Sequence, residues 1–517
     1  MEEARSLRIL ILAAEAVPFA KTGEMAEVIS ALAKALHKLG HDVRLVIPRY
    51  CHINSERFGL KSFIESLSVP MNSHHELASV HCTTLADRVP VYMVDNPRYF
   101  GRNATCVHMD DAERFIFNSR AALEMLKHPA LNWQPDIIHC HDWQTAIVPN
   151  WLATIYKDDP FFARAATVFT IHRLSHHGIF GYRVLEVAGL NEYGFIHHAE
   201  IGDLSDLVDL LARGIYYAQA ITTVSGRHAQ EIQTPEFGER LDPLFRERCE
   251  HLFGILNGID TEMFDPAHDT HIASHYDANS LEARAPNKAA LQRITGLKED
   301  PSAPLVGMVS RLSDLKGFDL LTSAFEAIMA NLDTQFMIIG VGEQKYHDRL
   351  TALKKQFPGR VALQFTYNDA LERQLYAGSD FFLMPSHREP CGLGEMIAMH
   401  YGSVPVVHVT GGLADTVQNY DPLTRTGSGF SFQAYDPLAL FATLVRAVEI
   451  YRHRDLWISL QQRCMASDFS WDKSAAAYVD VYRWALAARL QEGQADAPFQ
   501  NACVNAEESL NRLGPVV

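Results

Sequence analysis

The sequence predicts an α/β protein with two doubly wound domains. Short apolar runs, such as residues 8–13 and 304–309, alternate with segments whose apolar residues recur at helical spacing. A chain of 517 residues is also too long for a single hydrophobic core. Residues 265–303 are richer in Asp, His, Pro and Ala and carry no strong strand pattern. We therefore expect a first domain over residues 1–264, an interdomain segment over 265–303 and a second domain over 304–470.

Composition argues against several classes of protein. The net charge of -16 disfavours nucleic acid and anionic membranes as partners, because phosphate backbones need a basic face. The eight cysteines are scattered without a CxxC pair, which is typical of reduced thiols and not of a disulfide framework or a zinc site. No apolar run approaches the roughly 18 residues of a membrane span, and the N-terminus resembles neither a signal nor a transit peptide. We expect a cytoplasmic protein, and a plastid location is not supported.

The first strand, residues 8–13, is followed by a long loop over residues 14–24. A helix then begins, and Gly40 ends it. Long loops in compact domains are usually functional or disordered. Lys21 and Gly23 give this loop a cation and a permissive backbone, so the pattern favours contact with a phosphate.

Two later strands of the first domain end in polar residues. The run at 136–141 leads to Asp142, and the run at 166–171 leads to His172. Asp142 could simply cap the next helix, and a histidine at a strand end is more often a satisfied hydrogen-bonding group than a catalyst. The adjacent His176 and His177 lack a spaced third ligand, so we expect them in solvent and not on a metal.

The second domain repeats the strand, polar loop and helix pattern three times. Arg311 and Lys316 follow the strand at 304–309 and could clamp a diphosphate, although a solvated basic loop has the same pattern. Glu389 follows the run at 380–385, and a glycine turn at 410–412 follows another strand. Ligands of open α/β sheets bind at the carboxyl ends of strands, and helix N-termini suit phosphate. An ordinary turn with a proline remains the alternative for the segment around Glu389.

These motifs together resemble those of bacterial glycogen synthases and plant starch synthases. The similarity rests on residues 386–393 (SHREPCGL), 310–317 (SRLSDLKG), 410–415 (TGGLAD) and 21–23 (KTG), and it extends over about residues 7–490 with gaps near 50–100 and 180–210. The family consists of retaining glucosyltransferases of the GT-B fold, glycosyltransferase family 5. The resemblance implies two Rossmann-like domains facing across a cleft, with a C-terminal helix at 471–491 crossing back to the first domain. Residues 492–517 are predicted to form a flexible tail.

The resemblance also implies roles for individual residues. Glu389, His172 and Asp142 correspond to the residues around the reacting sugar. The residues that correspond to donor-binding positions are Lys21, Gly23, Asn257, Arg311, Lys316, Tyr367, Cys391, Gly392, Leu393, Thr410, Gly411 and Gly412. No metal and no other cofactor is required if Arg311 and Lys316 neutralise the diphosphate.

The implied activity is that of a glycogen (starch) synthase, which transfers glucose from ADP-glucose to the nonreducing end of an α-1,4-glucan with retention. Four departures from the family pattern leave alternatives open: Glu24 replaces a glycine, Arg173 an asparagine, and Ala212 with Arg213 a lysine and a glycine. Glu24 would be strained in a left-handed conformation and could repel a diphosphate, and Arg213 could alter glucan contact. The alternatives are another donor such as UDP-glucose, a short acceptor, or a non-catalytic glucan-binding or regulatory paralogue. The sequence does not identify partner proteins.

Overall fold

The computed structural model of the chain describes residues 5–72, 74–102, 105, 108–194, 196 and 207–492. It divides into two compact units, Met1–Ile255 with Trp471–Val517, and Leu256–Ser470. This division lies nine residues before the expected boundary at residue 264, and it groups the expected interdomain segment at 265–303 with the second unit. Those residues belong to the second unit, where Lys288 pairs with the buried Asp380 at 2.7 Å. The segment buries polar side chains such as Asn287 and Lys288 as well as apolar ones such as Leu291.

The first unit is built on a nine-stranded sheet in which the seven strands from β11 to β5 pair in parallel and β4 and β3 add an antiparallel edge. The sheet order is β11-β10-β7-β6-β1-β2-β5-β4-β3, and β8 and β9 form a separate pair. The strands are β1 (Arg8–Leu12), β2 (Asp42–Pro48), β3 (Lys61–Met71), β4 (His74–Leu85), β5 (Val89–Asp95), β6 (Ile137–His141), β7 (Ala166–Ile171), β8 (Ile179–Gly181), β9 (Leu207–Asp209), β10 (Ala220–Thr223) and β11 (Leu252–Gly254).

Helices connect and cover these strands. They are α1 (Met25–Lys38), α2 (Pro97–Phe100), α3 (Asp111–Lys127), α4 (Ile147–Ala153), α5 (Arg183–Ala188), α6 (Leu210–Tyr217), α7 (Gly226–Glu231) and α8 (Asp242–Glu247). Every residue of β6 and β7 is buried. Parallel strands covered on both faces read as continuous apolar runs, which is why the sequence predicted them.

The second unit contains a six-stranded parallel sheet in the order β14-β13-β12-β15-β16-β17. Its strands are β12 (Leu305–Val309), β13 (Gln335–Ile339), β14 (Val361–Gln364), β15 (Phe381–Met384), β16 (Val404–His408) and β17 (Phe430–Phe432). Its helices are α9 (Ala285–Thr295), α10 (Phe318–Asn331), α11 (Gln344–Gln356), α12 (Asp369–Gly378), α13 (Gly394–His400), α14 (Gly411–Thr416), α15 (Pro437–Arg452) and α16 (Arg454–Met465). A mostly parallel sheet in the first unit and a fully parallel sheet in the second, each combined with helices, confirm the predicted α/β fold class.

The last helix, α17 (Trp471–Glu492), belongs to the first unit. It contacts α1 and β7, and it buries Tyr478, Tyr482 and Ala485 completely. This confirms the predicted return of the C-terminal helix. The tail predicted beyond it, at 493–517, lies outside the described residues. Over the described part of the chain, none of the helices combines the length and the hydropathy that crossing a bilayer requires.

Candidate active site

Asp142 and His172 come together at the ends of the neighbouring strands β6 and β7. The Asp142 Oδ1 atom accepts the backbone N–H of His172 at 2.7 Å, and Asp142 adopts a φ of 53°. Burial raises the pKa of Asp142 to about 7, against the opposing influence of that N–H and of Arg173. Burial, with the charge of Arg173, lowers the pKa of His172 to about 3. At neutral pH His172 is therefore uncharged, and Asp142 is close to its titration point.

Two further histidines lie next to His172 in a row: His141 contacts His172, and His139 contacts His141. Neither was a predicted site residue. His141 Nδ1 lies 3.0 Å from His172 Nε2. The His139 ring lies 4.0 Å from the His141 ring, centroid to centroid, and its nitrogens contact Thr170 Oγ1 at 2.6 Å and the Tyr482 hydroxyl at 2.8 Å. The spacing of two residues on a strand places His139 and His141 on one face, which is the signal that could have identified them.

The loop predicted to contact phosphate is held from within by Glu15. Its carboxylate accepts the Thr22 hydroxyl at 2.6 Å, the Thr22 backbone N–H, and a hydrogen bond from the Gly23 backbone. Burial raises the pKa of Glu15 in spite of these donors. Lys21 lies 2.7 Å from Glu27 in an exposed ion pair. The backbone donors of residues 22 and 23 are thus already used in this structure, and the roles of Lys21 and Gly23 toward a donor remain predictions.

The departures from the family pattern occupy different environments. Glu24 is exposed and helical, with φ -66° and ψ -27° immediately before α1, so the expected left-handed strain is wrong. Arg173 lies against the loop, because a Cβ on Gly23 would be 3.2 Å from its Nη2 atom. Within the described part of the chain, the Arg173 guanidinium forms no hydrogen bond or ion pair, although it is only partly exposed.

Arg213 and His177 point into their own unit. Arg213 is 2% exposed, and its guanidinium donates to Asn150 Oδ1 at 2.8 Å and to the Gly194 carbonyl. Burial lowers its pKa. His177 Nδ1 lies 2.7 Å from Asp209, so the expectation that this histidine is in solvent is wrong. The physical reason in both cases is a buried polar partner that the local sequence does not reveal.

In the second unit, Glu389 and Lys316 form an ion pair across two loops. The Lys316 ammonium lies 2.7 Å from Glu389 Oε1 and 2.6 Å from Oε2, and the Ser386 hydroxyl donates to Oε2 at 3.0 Å. Glu389 is 5% exposed. The loops meet because β12 and β15, which precede them, are neighbouring parallel strands. The structure therefore joins a predicted catalytic carboxylate and a predicted donor-binding cation.

The predicted glycine turn lies against the backbone of the Glu389 loop. A Cβ on Gly412 would be 1.7 Å from the Cys391 carbonyl oxygen, and one on Gly411, whose φ is 44°, would be 2.0 Å from that of Glu389. Only glycine permits this approach. The observed role of these two glycines is thus close packing beside Glu389.

Several buried polar atoms of the second unit have no partner among the described residues, and two of them belong to predicted donor-binding positions. These two are Asn257 Oδ1 and Thr410 Oγ1. Leaving such an atom unsatisfied costs about 1–3 kcal/mol, so an unpaired group usually has a reason, such as a ligand.

The remaining predicted donor residues differ in exposure. Arg311 is exposed and forms no ion pair within the described ranges, and Tyr367 is 52% exposed. Cys391 is buried, and Leu393 directly precedes α13. A Cβ on Gly392 would be 2.5 Å from the Glu395 carboxyl group.

Glu395 is a buried acid that sequence reasoning missed. Its Oε1 atom accepts the Thr416 hydroxyl at 3.1 Å, and its Oε2 atom has no partner in the described part of the unit. Burial and the charge of Glu389 raise the pKa of Glu395 well above its usual range. A neutral carboxylic acid thus stands beside a charged carboxylate. In the sequence it is only an acid in the first turn of a helix, where acids are common.

No group of three or more His, Cys, Asp or Glu side chains within the described ranges could hold a metal ion.

Two α/β units with polar residues at the ends of parallel strands are the architecture of the GT-B fold, to which two-domain glycosyltransferases belong. The family model of the starch synthase catalytic domain matches residues 8–247, and that of glycosyl transferases group 1 matches residues 292–459. The glycogen synthase of Moorella thermoacetica is 43% identical, over 94% of this chain and 98% of its own. That of Desulforudis audaxviator is 42% identical, over 93% and 97%. The solved catalytic domain of Starch Synthase IV from Arabidopsis thaliana, bound to ADP and acarbose, superposes with a TM-score of 0.85 at 32% identity, over 93% of this chain and 100% of its own. The chain belongs to the glycogen and starch synthase family.

Proposed function

We propose that this chain is a glycogen synthase that transfers glucose from ADP-glucose to the nonreducing end of an α-1,4-glucan, with retention of the α configuration. The observation that carries the proposal is the Lys316–Glu389 pair. Cleavage of the sugar–phosphate bond creates an oxocarbenium-like sugar and a diphosphate. A fixed carboxylate favours the sugar cation and an adjacent ammonium favours the leaving diphosphate, so the pair matches both developing charges.

Glu389 then acts by position and charge, and not as a nucleophile. Both of its oxygens already contact the Lys316 ammonium, and one also accepts the Ser386 hydroxyl. A carboxylate with its lone pairs engaged in this way is a weak nucleophile. Arg311, which is exposed and unpaired in the described part of the unit, adds a second cation for the diphosphate.

The choice of an adenine nucleotide rests on the relatives. The similar starch synthase structure contains ADP, and the similar bacterial proteins are glycogen synthases. Asn257 and Thr410 offer unpartnered buried oxygens for the donor, and Tyr367 is exposed for stacking on a base. In the first unit, Asp142 and His172 are the groups proposed to hold the reacting sugar.

The structure weakens the case for a non-catalytic paralogue. That alternative depended on Glu24, Arg173, Ala212 and Arg213. Glu24 has an ordinary helical backbone, and Arg213 is bonded inside its own unit. These two changes remove no group that the proposed chemistry requires, so the alternative now depends on Arg173 and Ala212 alone.

The test is an assay of purified protein with radiolabelled ADP-glucose or UDP-glucose, and with glycogen or maltooligosaccharides as acceptor. We expect label in glycogen from ADP-glucose, and a loss of about 100- to 1000-fold in rate for Glu389→Ala with unchanged thermal unfolding. Transfer from UDP-glucose alone would replace the proposed donor. Absence of transfer with every donor and acceptor would overturn the proposed function.

A further inference from the structure

His141 is a fully buried side chain, and among the described residues its one side-chain hydrogen-bond contact is with another histidine. It is 0% exposed, and its Nδ1 atom lies 3.0 Å from Nε2 of His172. Burial lowers the pKa of both imidazoles, to about 3 for His172 and well below its usual range for His141. Both rings are therefore neutral at pH 7, and each carries one proton. The contact between them needs one N–H and one bare nitrogen.

The other nitrogen of His141 decides which ring donates. His141 Nε2 is buried, and it forms no hydrogen bond with any described residue. If His141 carried its proton there, an N–H would be buried without an acceptor, and orphaned buried N–H groups are rarer than bare acceptors. The proton of His141 consequently lies on Nδ1 and is donated to His172 Nε2.

This assignment fixes His172 as well. Its Nε2 atom accepts, so its single proton lies on Nδ1, and Nδ1 makes no hydrogen bond within the described part of the chain. We propose that His141 is a positioning residue that holds His172 as the Nδ1–H tautomer, so that His172 meets its ligand as a hydrogen-bond donor and not as a general base. The ligand group is an oxygen with an available lone pair, and its assignment to the transferred sugar rests on the proposed function.

The surroundings of His141 hold its ring in place. The His139 ring packs on it at a centroid distance of 4.0 Å, and His139 is itself fixed by Thr170 and Tyr482. The backbone N–H of His172 is held by Asp142. Both partners of the histidine contact thus have supports of their own, as tautomer control requires.

The direct test is nuclear magnetic resonance of the full-length protein labelled with ¹⁵N in the histidine rings. The His172 signals are assigned by their loss in His172→Gln. At pH 7 we expect a protonated Nδ1 and a bare Nε2. A proton on Nε2, or a doubly protonated ring, would overturn the proposal. This measurement needs no substrate, so its outcome is separate from that of the proposed function.

A matched pair of variants tests the role of His141. The amide nitrogen of asparagine can take the place of imidazole Nδ1, whereas that of glutamine takes the place of Nε2. We expect His141→Asn to keep the His172 tautomer and most of kcat. We expect His141→Gln to lose the tautomer and to lower kcat about 100-fold, with a smaller change in KM.

Equal losses in the two folded variants would reject the positioning role. If thermal unfolding shows that both variants are misfolded, the wild-type spectrum alone decides. A wild-type protein that shows the Nδ1–H tautomer but transfers no glucose would reject the proposed function and leave the tautomer assignment standing.

Discussion

The raised pKa of Asp142 predicts how the rate of transfer depends on pH. Its pKa of about 7 means that the carboxylate is ionised only on the alkaline side of neutrality. If ionised Asp142 stabilises the positive sugar, kcat should rise with pH through about 7 and reach a plateau above it. A pH–rate profile measures this. Asp142→Asn should lower the plateau and remove that inflection, and an inflection that persists in the variant would assign it to another group.

The same raised pKa stabilises the folded state at low pH. The folded state holds the proton of Asp142 more tightly than the unfolded chain does. The free energy of unfolding should therefore fall as pH rises from the ordinary value of an aspartic acid to about 7. Asp142→Asn has no such titrating group. In denaturant unfolding, the free energy of unfolding of the variant should therefore rise relative to that of the wild type over this pH interval. A constant difference between the two proteins would contradict the raised pKa.

Glu395 should tolerate replacement by its neutral isostere. Because burial and Glu389 keep this acid protonated, Glu395→Gln should retain transfer at pH 7, and Oε1 still accepts from Thr416. The raised pKa stabilises the folded wild type while Glu395 is protonated, and this contribution is lost when the group deprotonates. The stability of the wild type should therefore decline relative to that of the variant as pH rises. Unfolding at several pH values checks this. Glu395→Ala is the control, and it should destabilise the unit by leaving a cavity.

At the scale of elements, the two cations of the loop after β12 have different surroundings. Lys316 pairs with Glu389 in the loop after β15, whereas Arg311 is exposed. Lys316→Ala leaves Glu389 buried without its ammonium, which should cost about 1–3 kcal/mol of unfolding free energy. Arg311→Ala removes an exposed side chain and should change stability by less than about 0.5 kcal/mol. Both should weaken ADP binding in calorimetric titrations.

The two cation variants are each other's control, because only one of them breaks an ion pair. Unchanged ADP affinity in both would place the diphosphate elsewhere. Equal stability of both would mean that the Lys316–Glu389 pair contributes nothing to the folded unit.

The elements that the sequence predicted well are the buried parallel strands. β1, β6, β7, β12 and β15 are short apolar runs, and all but β1 lead within two positions into polar residues. The positions of those strands and of the site residues at their ends therefore follow from one pattern. The antiparallel edge formed by β3 and β4 alternates between buried and exposed residues irregularly and gave no clear pattern. Segment 265–303, expected between the domains, groups with the second unit, and it buries a mixture of polar and apolar side chains.

The sequence did not predict contacts between side chains on different loops. Lys316 and Glu389 were both predicted, but their pairing depends on how two loops 73 residues apart meet. Glu15 was not predicted, because nothing in a long loop indicates which acid folds back onto its N–H groups. His141 was not predicted, because its proposed positioning role depends on the neighbouring His172 ring.

At the scale of the whole molecule, the two units differ in how the chain builds them. The second unit is one continuous stretch, Leu256–Ser470, and it contains Asn257, Arg311, Lys316 and the 410–412 turn. We expect a fragment of residues 256–470 to unfold cooperatively and to bind ADP, more weakly than the full chain because it lacks Lys21 and Gly23, and to transfer no glucose. Denaturant unfolding and calorimetry measure both properties.

The matching fragment of residues 1–255 is the control. It lacks α17, which buries Tyr478, Tyr482 and Ala485 in the first unit, so it should be much less stable than the same unit in the full chain. A stable 1–255 fragment, or a 256–470 fragment that does not bind ADP, would contradict this division of roles.

The return of α17 also sets an order of events during biosynthesis. His139 and Tyr482 touch across a sequence separation of 343 residues, so the core around His139 cannot close until the end of the chain has emerged from the ribosome. At roughly 5–20 residues per second, that wait after residue 255 lasts about 10–45 s. The second unit is complete before α17 is synthesised. We therefore expect the later-made unit to reach its native state first, which reverses the usual N-terminal-first order of nascent multidomain proteins.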